Sequence, residues 1–154
     1  MLASLHDIAA DLDSAALDAA DLRKITDIAT HESAVLDEIR EPRLLTGDLW
    51  TVNTMLAAGA PVPTITGVLD MDRTWWGDPD ADWTLRMARA KRDERLAFFD
   101  TYRAQDSSPA AAFRRQVYEA HHLGAIRLER HRLGNTDGVQ ATYQDMAAVL
   151  ARLT

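Results

Sequence analysis

Apolar positions recur at helical spacing through the first forty residues. Leu5, Ile8 and Leu12 form one stripe, and Leu22, Ile25 and Ile28, then Val35, Leu36 and Ile39, continue it. Residues three and four apart share one face of a helix, so this spacing predicts amphipathic helices. Asp13-Ser14 is the expected N-cap of the second segment, and a break is expected near Thr30. Glycine is absent until Gly47, and Pro42 is expected to end the helical stretch, since its ring blocks a continuing helix.

The period changes between Leu44 and Leu69. Leu44-Leu45 is short and apolar, while Thr54-Met55-Leu56 and Ile65-Thr66-Gly67-Val68-Leu69 read as strands. Ala58-Gly59-Ala60-Pro61-Val62-Pro63 supplies the turn, which predicts a small β-hairpin. After Pro79 the helical period returns. Phe113, Val117, Ala120, Gly124 and Leu128 fall on one face, and Val139, Tyr143, Met146, Leu150 and Leu153 on another, with Thr136 or Asp137 as its cap. Gln105-Asp106-Ser107-Ser108-Pro109 reads as an inter-helix loop, and there is no internal repeat. The expected fold is mainly α with a small β-hairpin (α+β). It is expected as one domain over residues 1–154: helical over 1–43, polar loops on a hairpin over 44–78, helical over 79–154.

Composition changes this picture little. A chain of 154 residues, 47% hydrophobic and 27% charged, is an ordinary globular domain, able to bury roughly 68–70% of its unfolded surface. The absence of cysteine removes disulfides, thiolate metal sites and cysteine nucleophiles, and suits a cytoplasmic protein. No apolar run approaches the ~20 residues of a membrane helix, and Met1-Leu2-Ala3-Ser4-Leu5-His6-Asp7 lacks the basic start of a signal peptide. The net charge of −7 argues against nucleic acid as a partner, because phosphate neutralisation needs clustered Lys and Arg. An acidic surface draws a cationic substrate through its field, or simply keeps the chain soluble.

The chemistry concentrates in the hairpin region. Gly47-Asp48-Leu49-Trp50-Thr51-Val52-Asn53 is followed by Asp70-Met71-Asp72 at the end of the better strand. Phosphoryl transfer needs a carboxylate beside the attacking hydroxyl and oxygen ligands that hold magnesium against the phosphates. Magnesium takes one or two carboxylates plus waters and phosphate oxygens, so Asn53 and Asp70 are a suitable pair, leaving Asp48 as the base.

Thr46-Gly47-Asp48-Leu49-Trp50-Thr51-Val52-Asn53 resembles the H-G-D-x-x-x-x-N catalytic loop of the aminoglycoside phosphotransferase family and its choline kinase-like relatives. Ile65-Thr66-Gly67-Val68-Leu69-Asp70-Met71-Asp72 looks like that family's strand ending in the metal-binding aspartate, and Gly77-Asp78-Pro79-Asp80-Ala81-Asp82-Trp83 is similar to its G-D-P-x-x-D-L segment. Three motifs in the family's order are more specific than any one alone. The resemblance implies the C-terminal lobe of a protein-kinase-like fold, with ATP as phosphoryl donor, Mg2+ as cofactor and a small-molecule hydroxyl, such as that of an aminoglycoside-like antibiotic, as acceptor. It implies Asp48 as catalytic base, Asn53 and Asp70 as magnesium ligands, and Asp82 as a carboxylate bracing the catalytic loop. Asp72 is a ligand of a second metal or a structural residue. Trp50, inside the loop, is a candidate substrate contact. Trp75 and Trp76 are candidate walls of the substrate site or hydrophobic anchors.

Two positions depart from the family pattern. Thr46 stands where the family has histidine, and no strand-rich N-terminal lobe with an ATP-gripping lysine precedes Asp48, where Lys24 is the one lysine. The chain is therefore expected to be truncated, a fragmentary gene product or half of a split enzyme, with an exposed face that favours self-association or a separate N-terminal lobe.

Two other functions compete. The chain is alternatively an inactive helical remnant or a partner-binding module. Asp70-Met71-Asp72-Arg73-Thr74 also fits the D-x-D-x-T signature of a phosphatase family, but that fold needs parallel strands and a distant lysine, whereas the sequence after Pro79 is helical and holds only Lys91. His121, His122 and His131 lack a spaced carboxylate partner for a metal, and Arg127, Arg130 and Arg132 read as a solvated helical face.

Overall fold

The computed structural model describes residues 1–102 and 106–154, and it is mainly α-helical with a small β component. Gln105, the first residue of the expected inter-helix loop, lies outside the described residues. The chain forms two compact units, Met1–Glu38 with Lys91–Thr154, and Ile39–Ala90.

The first unit contains the helices α1 (Leu2–Ser14), α2 (Ala20–His31), α3 (Ser33–Leu36), α5 (Arg92–Thr101), α6 (Pro109–Arg132) and α7 (Thr136–Leu153), with α4 (Asp80–Arg89) in the second unit. Its core joins Leu5, Ala9 and Leu12 of α1 to Leu22, Ile25 and Ala29 of α2, Val117, Ala120 and Leu123 of α6, and Val139, Met146 and Val149 of α7. The stripe on α6 matches the sequence period. The stripe on α7 is rotated, for Thr142 and Val149 are buried while Tyr143, Leu150 and Leu153 are half-buried. A methyl group on Gly124 would meet Ile8 Cγ2 at 2.8 Å, so the missing side chain sets how closely α1 approaches α6.

The helix ends differ from the sequence expectation in three places. Asp13-Ser14 close α1 rather than open α2. Ala16 turns left-handed at φ 56°, and Leu17 N–H returns to the Leu12 carbonyl at 2.9 Å, a motif that ends a helix by filling its orphan carbonyls. Asp18 Oδ1 instead accepts from Ala20 N–H at the start of α2. Asn135, not Thr136 or Asp137, caps α7 by accepting from Gly138 N–H at 2.8 Å. The first helical stretch stops at Leu36, ahead of Pro42.

Arg127 overturns the solvated face expected on α6. Its side chain is fully buried and forks onto Asp21, with Nη1 donating to Oδ1 at 3.0 Å and Nη2 to Oδ2 at 2.7 Å. Nη1 also donates to the Asp18 carbonyl, Nε donates to Thr142 Oγ1, and the guanidinium lies 3.8 Å from the Tyr143 ring centre. One cation thus joins α2, α6 and α7. Removing one side of such a buried pair leaves an uncompensated charge and destabilises by about 3–5 kcal/mol.

In the second unit, β1 (Arg43–Leu45) pairs antiparallel with β4 (Trp75–Gly77), and β2 (Thr54–Leu56) with β3 (Ile65–Val68). The β2–β3 hairpin has the strands expected from the sequence, except that β3 ends at Val68, with a bulge between Met55 and Leu56 and closure by Ala57 N–H on the Thr64 carbonyl. The β1–β4 ribbon adds a second sheet to the single hairpin expected. It encloses the hairpin in sequence, so the loops at 46–53 and 69–74 both run between the same two ribbons. Among the described residues no helix is long and apolar enough to cross a membrane.

His121 on α6 is hydrogen-bonded through Nε2 to Ser4 Oγ of α1 at 2.8 Å. Burial, reinforced by His122 and the chain's amino group, pushes its pKa from 6.5 down to about 4. A depressed histidine is neutral in the fold while the unfolded chain takes up a proton. Its contribution to stability is therefore complete above pH 6.5 and is lost as pH falls toward 4. Urea titrations at pH 7 and pH 4.5 should differ by on the order of 2 kcal/mol on this account. His121→Gln should flatten that part of the pH profile, and an unchanged slope would assign it to other groups.

Candidate active site

The nesting of the two ribbons places the sequence-predicted carboxylates together. β1 delivers Thr46, Gly47 and Asp48 into the first loop, and β3 delivers Leu69, Asp70, Met71 and Asp72 into the second. Thr54 opposite Val68 is the last pair of the inner hairpin, so the chain must diverge just beyond it. Leu69 N–H still reaches the Asn53 carbonyl at 2.8 Å, which brings Asn53 beside the start of the Asp70 loop. Asn53 is buried and its Nδ2 donates to the Asp48 carbonyl at 2.9 Å. One asparagine therefore ties both loops, its backbone to one and its amide nitrogen to the other. Its amide oxygen remains the group able to take a cation.

The outer end of the first loop is held by Asp82, in the first turn of α4. Asp82 Oδ2 accepts from Thr46 N–H at 3.0 Å and Oδ1 accepts from Gly47 N–H at 2.8 Å. The Thr46 hydroxyl donates to the same carboxylate, 3.0 and 3.1 Å from its two oxygens. Successive amides on one carboxylate require a tight turn, and Gly47 makes it at φ 76°. A Cβ there would stand 2.3 Å from the Arg73 carbonyl oxygen, so the second loop crosses the first backbone against backbone. α4 begins with Asp78 Oδ1 accepting from Asp80 N–H at 3.0 Å, one of the amides left open at a helix start.

The charges are crowded. Asp72 shares a hydrogen bond with Asp70 and repels its charge, which raises the Asp70 carboxyl above the usual aspartate range; slight desolvation and Asp48 add to this, and Arg73 opposes it. Arg73 Nη1 also lies 4.0 Å from Asp48 Oδ2. Asp70 itself holds a left-handed backbone at φ 58°, a conformation worth about 1–3 kcal/mol of strain for a residue other than glycine. Among the described residues, no three His, Cys, Asp or Glu side chains form a metal cage by themselves. The donors present are all oxygens: the Asn53 amide and the Asp70 and Asp72 carboxylates. That donor set fits magnesium, which shares its coordination with water and phosphate oxygens.

The three candidate tryptophans, Trp50, Trp75 and Trp76, differ in placement. Trp50 precedes the 3-10 turn Thr51–Asn53 and is exposed. Trp75 is half-buried, with its ring over Gly77, where Leu45 Cδ1 also approaches. Trp76, paired with Leu44 across the ribbon, is 68% exposed. The β4 strand they form went unassigned from sequence, although two adjacent aromatics are a strand signal in their own right. The Asp82-bonded hydroxyl of Thr46 and the cation of Arg73 were also not singled out. The first is visible in sequence only as a departure from a motif, and the ion pair of the second with Asp48 joins residues 25 apart.

Gly47→Ala should be among the most disruptive small substitutions in this unit. Left-handed strain and the overlap with Arg73 together should lower stability by about 2 kcal/mol or more. Denaturant unfolding followed by tryptophan fluorescence measures this, since Trp50 follows Gly47 by three residues and Trp75 follows Arg73 by two. A loss below half that size would mean that the two loops separate easily.

No family model matches the chain, and no curated protein is similar enough to it to match. What the site does must follow from its own residues.

Proposed function

We propose that this chain is the catalytic lobe of an ATP-dependent small-molecule phosphotransferase, working in the cytoplasm. The observation that carries the proposal is the double tie made by Asn53, which holds the Asp48 and Asp70 loops together through one side-chain and one backbone hydrogen bond. The order and spacing of the three motifs support the same reading.

Asp48 is the group suited to accept the proton of an acceptor hydroxyl. It is half-buried, its loop is fixed at both ends, and its carboxylate lies 4.0 Å from the Arg73 cation. Asn53 and Asp70, with Asp72 beside them, would hold magnesium. The ion when bound supplies charge neutralisation for the β- and γ-phosphates of ATP. Asp82 keeps Asp48 in place without touching substrate. The exposed Trp50 is available to stack on an acceptor. An acidic chain suits a cationic acceptor such as an aminoglycoside.

A second reading is favoured by one observation. Val52, Leu56, Val62 and Ile65 on and around the inner hairpin are 58–64% exposed, an apolar grouping of the kind that marks interaction surfaces. On that reading the chain is a binding module that contributes no chemistry by itself.

Calorimetry with ATP and magnesium separates the two. Saturable binding that needs magnesium and weakens in Asp70→Ala is expected of the phosphotransferase, and no heat at millimolar ATP would favour the binding module. With labelled ATP and a panel of aminoglycosides and other small hydroxyl compounds, Asp48→Asn should keep nucleotide affinity and lose roughly 10²–10⁴ in turnover. Turnover of Asp48→Asn close to wild type would remove Asp48 as the base.

A further inference from the structure

The Thr46 hydroxyl has a use that neither the backbone ties nor the proposed chemistry requires. Asp82 already receives Thr46 N–H and Gly47 N–H, one on each oxygen. The hydroxyl is a third donor, lying between the two oxygens at 3.0 and 3.1 Å. Hydrogen bonds to a charged acceptor are stronger than neutral ones, and three donors on one carboxylate fix its rotation as well as its position. The site is only part-buried, so water competes for the carboxylate, and a bond made by a side chain on the same residue as one amide resists that competition.

The effect on Asp48 follows from the chain. Leu45, at the end of β1, is buried, and Asn53 Nδ2 holds the Asp48 carbonyl. Between these fixed points lie only Thr46 and Gly47, each tied to Asp82 through its amide. Gly47 has the wide conformational freedom of glycine, so the torsions on either side of it decide where the Asp48 carboxylate points. Arg73 blocks one side of Gly47. The Thr46 hydroxyl adds a third bond from this turn to Asp82.

We propose that Thr46 is a positioning residue: its hydroxyl latches the Thr46–Gly47 turn to Asp82 and so sets the direction of the Asp48 carboxylate. The kinetic half of this proposal rests on the phosphotransferase reading; the latch itself does not. Thr46→Val keeps the branched shape and both backbone N–H bonds and removes only the hydroxyl. Thr46→Ser returns the hydroxyl without the methyl group.

The test follows amide hydrogen exchange by NMR in the full chain for wild type and both variants. In Thr46→Val the Gly47 amide should exchange roughly tenfold faster while α6 amides keep their protection. Thr46→Ser should return the Gly47 rate to within about threefold of wild type. Equal Gly47 rates in wild type and Thr46→Val, or no recovery with serine, would overturn the latch. In phosphotransfer assays, Thr46→Val should lower kcat roughly tenfold with the KM for ATP unchanged, and serine should restore kcat. Faster exchange with an unchanged kcat would overturn the positioning of Asp48. If wild type transfers no phosphate to any acceptor, the phosphotransferase reading and the kinetic role fall together, while the exchange ratio still decides the latch.

Discussion

Everything at the candidate site depends on one carboxylate being fully occupied. Asp82 takes three donors from two consecutive residues, and those residues lead directly into Asp48. A carboxylate that gathered donors from scattered segments would stabilise the unit equally well but would not aim anything. Because the donors come from Thr46 and Gly47, rigidity in α4 is passed to the next residue of the loop. α4 can supply that rigidity because Asp82 lies in its first turn, with Asp78 and Asp80 ordering its start. A negative charge in a first turn is also favoured by the helix dipole.

The fold was legible in sequence where local rules decide it. The inner hairpin came through because alternating apolar residues flank a glycine- and proline-rich turn, and both signals point the same way. The α6 stripe came through for the same reason. Local rules failed where a distant partner decides. The pairing of β1 with β4 joins residues 30 to 34 positions apart, and Leu44-Leu45 is too short to declare itself as a strand. Arg127 carries no sequence sign of burial, since its partners Asp21 and Thr142 lie on other helices and a long charged side chain on a helix ordinarily faces water. The caps misread at Asp13 and Thr136 were decided by which residue takes a left-handed turn, and Ala16 is an uncommon choice for one.

The candidate residues themselves were legible because spacing and residue type constrain each other. Asp48 and Asn53 stand five apart across a 3-10 turn, a separation that lets the Asn53 side chain reach back to the Asp48 carbonyl. Thr46 was harder to read. As a letter in a motif it is only a mismatch, whereas in three dimensions its hydroxyl lands on the same carboxylate as its own amide.

The two units place their charges in different circumstances. In the helical unit a buried cation is matched on every side, by a forked carboxylate, a carbonyl, a hydroxyl and an aromatic face, because burial makes an unmatched charge costly. In the β unit the carboxylates of Asp48, Asp70 and Asp72 are drawn together, Arg73 opposes their repulsion, and Asp70 has a left-handed backbone. Water makes this tolerable at an exposed site but gives no reason for it, since the same residues spread apart would repel less and strain nothing. Strain of this kind persists only where the surroundings enforce it, and Asp70 follows directly on the Leu69 N–H bond to the Asn53 carbonyl. A divalent cation beside Asp70 and Asp72 would relieve the repulsion between them, which water alone only screens.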